Sequence, residues 1–104
     1  MNDRVREALV TAALNGTKQI KGAYKDRHGG RCALGVIMEH AGLEFGFTIH
    51  PTDAWHKIGL TPDEFFSIQR ANDNLGWDFL IIARKIGTPE YDEALSQLTE
   101  EDVK

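Results

Sequence analysis

Cys32 is the one thiol of the chain, set in Arg31-Cys-Ala-Leu-Gly-Val-Ile37, which reads as the first turn of a buried helix. A helix N-terminus and the adjacent Arg31 both favour the thiolate, and Gly29-Gly30 lets a substrate backbone come near. Downstream, His50 and then Asp53 or Asn72 give the chain order of a cysteine, a histidine and an orienting acid or amide. That is the constellation of a cysteine-dependent hydrolase or transferase. A plainer reading stands beside it: a lone cysteine among small apolar residues is a compact hydrophobe that fills a core.

Other chemistries are less well supplied. His28, Cys32, His50 and His56 have zinc-binding atoms, but only His28 and Cys32 approach the short ligand spacing of a structural site, so neither a metal nor a cofactor is expected. Asp73, Asn74 and Asp78 surround Gly76 without the alternating oxygens or closing glutamate of a calcium loop, and read as caps and turns. Gly29-Gly30 lacks the Lys-Ser/Thr of a phosphate loop. Trp77 to Leu98 has a helix–turn–helix outline, with Ala83 in the first helix and Gly87 at the turn. Its second helix, however, carries Glu90, Asp92 and Glu93 and no basic residue, which opposes the phosphate attraction that dominates nucleic-acid binding.

The charge distribution narrows the choice. Of 104 residues, 16 are Asp or Glu and 12 are Lys or Arg, a net charge of −4. Lys18, Lys21, Lys25, Arg27 and Arg31 make the stretch before the cysteine basic, whereas Glu90, Asp92, Glu93, Glu100, Glu101 and Asp102 make the end acidic. Such polarity suits orientation on a charged partner. No apolar run approaches the ~20 residues of a membrane span, and Met1 to Arg6 is followed by an amphipathic stretch instead of a secretion signal. One cysteine forms no internal disulfide. These features predict a cytoplasmic protein without a membrane partner.

Residues 1–104 are read as one domain. Asn2 is placed to cap a first helix with Val5, Ala8, Leu9, Ala12 and Ala13 at helical spacing, stopped by Asn15-Gly16. Thr17 to Gly30 has no helical period, and its alternation suggests an extended segment that pairs with the β-rich Phe45 to His50. A helix apolar on nearly every side spans Cys32 to Ala41, where Gly35 is expected to let another backbone approach closely. Pro51 to Ile58 forms a short helix. Thr61-Pro62-Asp63-Glu64 starts another with Phe65, Phe66, Ile68 and Ala71, which breaks at Asn72 to Gly76. Trp77 to Ile86 and a last helix with Tyr91, Ala94, Leu95 and Leu98 follow, before residues 98–104 fray as an acidic tail. The expected fold is mainly α, a single compact bundle of about five helices with a small two-stranded β element.

The succession of Cys-Ala-Leu-Gly-Val-Ile37, a Pro/Trp segment ending in Ile58-Gly-Leu60, Asn72-Asp73 and Trp77 to Ile86 resembles a group of small phage and prophage proteins. That group has a C-x-L-G-V-L-like helix, an N-D turn and an S-F-x-x-I-A-x-x-I-like helix; here Trp77-Asp78 stands where its serine precedes Phe79. The resemblance spans about residues 31 to 87 and implies a mobile-element setting without implying an activity.

Taken together, these features describe a small acidic non-enzymatic protein-binding module, an inhibitor in the host cytoplasm. Its carboxylates Glu90, Asp92, Glu93, Glu100, Glu101 and Asp102 would engage a basic surface of a host nucleic-acid-handling or defence protein. The alternatives are a cysteine enzyme built on Cys32, His50 and Asp53, and a weak nucleic-acid binder using the basic residues of 18–31. A homodimer through Trp55, Phe45 or Phe47 is compatible with any of them.

Overall fold

Local stop and start signals set the helix bounds in the computed structural model, which describes residues 3–98. Six helices form: α1 Asp3–Leu14, α2 Ala33–His40, α3 Ala54–Lys57, α4 Pro62–Asp73, α5 Phe79–Lys85 and α6 Pro89–Ser96. Asn2, expected to cap α1, lies outside the described residues. Thr61 and Glu64 close a reciprocal capping box at the start of α4, with Thr61 Oγ1 accepting from Glu64 N at 3.1 Å and Thr61 N donating to Glu64 Oε1 at 2.9 Å. Asp78 and Thr88 cap α5 and α6 by the same side-chain-to-backbone logic.

α2 occupies the centre. Every residue from Ala33 to Met38 is buried, so the helix apolar on all sides is enclosed, with α1 and α4 packed against it. α1 packs on α5 and α2, and α4 packs on α2, α3, α5 and α6. Leu9, Leu34, Met38, Phe65, Ile68, Ile82 and Ile86 are sealed from solvent, each such side chain favouring the fold by roughly 1.5–3 kcal/mol. Arg6 of α1 ties down the end of α5, donating from Nε to the Ala83 carbonyl at 3.2 Å and from Nη2 to the Ile86 carbonyl at 2.9 Å. No helix among the described residues is long and apolar enough to cross a membrane.

The expected two-stranded β element is replaced by irregular loops. Residues 17–31 make two isolated bridges, Gln19 with Arg31 and Lys25 with Arg31, and no sheet forms among the described residues. Two features prevent a strand. Gly22 and Gly29 take left-handed φ of 78° and 84°, and the Asp26 carboxylate turns the chain by accepting from His28 N and Gly30 N. Phe45 to His50 is folded back by a Gly46 N to Ile49 O bond of 2.7 Å, and it meets the first loop through the Tyr24 N to Phe47 O bond.

The helix expected to break at Asn72 instead runs to Asp73, which places Asn72 inside the protein with 0% exposure. Its Oδ1 accepts from Gln19 Nε2 at 2.7 Å and from Ala33 N at 3.0 Å, and its Nδ2 donates to the Ile20 carbonyl at 2.9 Å and to Asp73 Oδ1 at 2.8 Å. Gln19 extends the network, donating to the Trp77 carbonyl at 2.8 Å and accepting from Phe79 N at 3.0 Å. One amide therefore joins α4, the loop and the start of α2, and through Gln19 the start of α5.

At α2 the loop comes as near as backbone can. A Cβ built on Gly35 would lie 2.0 Å from the Tyr24 carbonyl oxygen, the close approach expected for this glycine.

Two substitutions test these contacts by urea unfolding. Gly35→Ala, which should gain about 1 kcal/mol from helix propensity alone, is expected instead to lose about 1–3 kcal/mol through overpacking; a gain would refute the close approach. Asn72→Ala is expected to cost about 3 kcal/mol by stranding buried backbone groups, and a loss under about 1 kcal/mol would show that the network contributes little.

Candidate functional site

α6 is held by one fully buried side chain. Tyr91 is 3% exposed, its ring lies 6.1 Å from that of Trp77, and its hydroxyl pairs with Ser67 Oγ of α4 at 2.8 Å. Burial pushes the Tyr91 hydroxyl up to about 12, so it stays protonated and available for this bond through the neutral range. With α6 fixed at that distance, an open groove of about 660 Å³ separates it from the first turns of α4.

Carboxylates from both helices border this groove. Asp63 and Glu64 come from α4, and Asp92 from α6. Ser67, Tyr91 and Leu95 also line it, as does Arg70, whose Nε is buried without a hydrogen-bond partner. The acids of α6 stand out in the sequence as a charge run, whereas Asp63 and Glu64 do not, because their acidity is explained locally by the helix start. Only the tertiary packing brings them beside Asp92.

The other acids differ in availability. Asp92 and Glu93 are exposed, whereas Glu90 is held by Lys85 Nζ at 2.5 Å, a hydrogen bond and charge pair that lower its pKa. Glu100, Glu101 and Asp102 lie outside the described residues. In the helix–turn–helix outline α6 would be the groove-reading element, and its exposed acids disfavour that use.

The triad residues are engaged elsewhere. Cys32 caps α2, its Sγ accepting from Gly35 N at 3.4 Å, and it is 3% exposed. Burial, the largest influence, pushes the thiol up to about 11, opposite to what a nucleophile requires. Arg31, expected to favour the thiolate, instead pairs with Glu39 at 2.9 Å. His50 sits in an aromatic cluster, its ring 5.2 Å from Phe65, 5.8 Å from Tyr24 and 5.9 Å from Trp55, with Nδ1 2.9 Å from the Pro51 carbonyl. Asp53 is exposed at a left-handed φ of 63°, and Asn72 belongs to the buried network. No hydrogen bond links Cys32, His50 and Asp53 among the described residues.

The remaining candidates are also dispersed. His28 and His56 are exposed, and no group of three or more metal-ligating side chains forms among the described residues. Asp73 and Asp78 serve as a loop acceptor and a helix cap, as their positions in the chain suggested. Of the basic stretch, Lys25 lies 5.0 Å over the Phe45 ring and Arg31 is paired, which leaves Lys18, Lys21 and Arg27 exposed. Phe47, Ile49 and Phe66 are exposed large apolar residues, while Trp55 and Phe45 are half-buried. Phe66, named with Phe65 among the apolar residues of this helix, points away from the core. Adjacent helical residues point about 100° apart, and Phe65 takes the inward position.

Two measurements check the thiol. Native Cys32 is expected to react with iodoacetamide near neutral pH about 100-fold more slowly than after denaturation, and equal rates would overturn its assignment to the core. Its folded pKa of about 11 lies above its ordinary 9.0, as Tyr91's of about 12 lies above 10.0, so their stabilising contribution is complete below pH 9 and is lost as pH rises toward 12. Urea midpoints should therefore fall through that window, and a flat profile would contradict both placements.

Comparison of the chain with protein-family models, curated proteins and solved structures finds no match.

Proposed function

We propose that this protein is a small acidic, non-enzymatic binding module of phage or mobile-element type. Its α4–α6 groove receives a basic segment of a host nucleic-acid-handling or defence protein and thereby inhibits it. The observation that carries this reading is the open groove bordered by Asp63, Glu64 and Asp92, with Glu93 exposed on the same helix as Asp92. Carboxylates on two separate helices can flank a strand or helix of lysines and arginines, which acids on one helix cannot do.

The mobile-element setting rests on the phage resemblance, and the basic partner on the charge and shape of the groove. A buried, protonated thiol supports a binding role over a cysteine-dependent reaction.

Pull-down from a bacterial lysate at low salt, with the native chain and an Asp63→Asn, Asp92→Asn, Glu93→Gln variant, tests the proposal. The native chain should retain a basic protein, and retention should fall with added salt. The variant, altered only at exposed positions, should bind that protein about tenfold more weakly, since each exposed pair contributes roughly 0.2–1 kcal/mol. Retention of no basic protein, or equal retention by the variant, would overturn it.

A further inference from the structure

We infer that a second depression, formed where α1, α2 and α3 meet, binds a small organic acid: a carboxylate carried on a short aliphatic body. It shares no residue with the α4–α6 groove, so the two readings stand or fall separately. The depression has a volume of about 300 Å³, at the low end of the range for small-molecule sites. Val5, Ile37 and Ile58 form a small apolar floor, each being at least nine-tenths buried, and polar groups make up most of the exposed lining. Arg4, His40 and Lys57 line it from three different helices, and Glu7 is the single acid beside them.

These side chains are not spent in ion pairs. Arg6, Arg31 and Lys85 each have an acidic partner, but no ion pair to Arg4, His40 or Lys57 forms among the described residues. Lys57 closes α3, where positive charge favours the helix by itself, and His40 stands at the end of α2. Arg4 has no such explanation. It stands in the first turn of α1, the end at which a helix dipole disfavours a cation, so helix stability does not account for it. An anion in the depression would face two permanent cations and an imidazole across one carboxylate, while its aliphatic part covers the apolar surface. A planar guanidinium fits a carboxylate through two parallel hydrogen bonds, which selects this head group.

Residue-resolved NMR titration of the intact chain with octanoate, 1-octanol and inorganic phosphate tests the site. Octanoate should shift amides in 4–7, 37–41 and 57–58. Octanol and phosphate, each lacking one half of the ligand, should bind at least about fivefold more weakly. An Arg4→Gln, Lys57→Gln variant, exposed at both positions, should keep the native spectrum elsewhere and lose about fivefold in octanoate affinity. The assignment is overturned if octanol or phosphate matches octanoate, if the shifts map to Phe47 and Phe66 instead, or if millimolar octanoate shifts nothing. Because the three-ligand comparison uses the unaltered chain, it decides the matter even without the variant.

Discussion

A single buried amide holds the irregular part of this protein to its helices. Residues 17–31 form neither helix nor sheet, so their backbone polar groups need partners from elsewhere, and an unmet group in the interior costs about 1–3 kcal/mol. Asn72 meets several at once because it both donates and accepts. It takes the Ala33 N–H at the open start of α2, gives to the Ile20 carbonyl, and orients Gln19 toward the start of α5. An aspartate there would have no donor for Ile20, and a leucine would strand both sides. The positions of α2 and α5, hence the core between them, follow from this network and from the missing side chain at Gly35.

What was legible in the sequence was whatever is decided within one turn of chain. Thr61-Pro62-Asp63-Glu64 announces α4 because the cap, the fixed φ and the acids act on neighbouring backbone groups, and Thr88-Pro89 announces α6 in the same way. Gly35 could be read because a glycine inside an apolar helix demands a reason. Asn72 could not, since its neighbours Asp73 and Asn74 look like a turn and its partners in α2 and the loop lie 39 to 53 residues away. The misplaced β element has the converse cause. Phe, Thr and Ile gave Phe45 to His50 strand-like composition, but the Gly46 turn and the Asp26 loop took the backbone hydrogen bonds a ladder would have needed. At the candidate site the α6 acids were visible as a charge run, and the second wall of the groove was not, because it depends on how α4 and α6 pack.

Cys32 shows how two effects with opposite sign are resolved by geometry. A helix N-terminus lowers a thiol's pKa, and here the Gly35 and Leu34 amides do act in that direction. Removal from water acts the other way and prevails, because the sulfur is enclosed by the Tyr24 loop and Arg31 has turned to Glu39. The features that suggested a nucleophile are therefore real but have a structural use: the sulfur accepts the bond that starts α2.

α6 presents a contrasting case, a helix with charge on the outside and little holding it inside. Tyr91 is its single fully buried residue, and the Lys85 to Glu90 pair adds only an exposed contact of small energetic value. Elements with few buried apolar contacts open at lower free energy than the core. The α4–α6 groove thus has one rigid wall, α4, fixed through Asn72 to the centre of the molecule, and one wall anchored by the Tyr91 to Ser67 bond. On the fixed side the capping box holds Glu64, with Asp63 beside it, whereas Asp92 rides on the wall that opens at lower free energy.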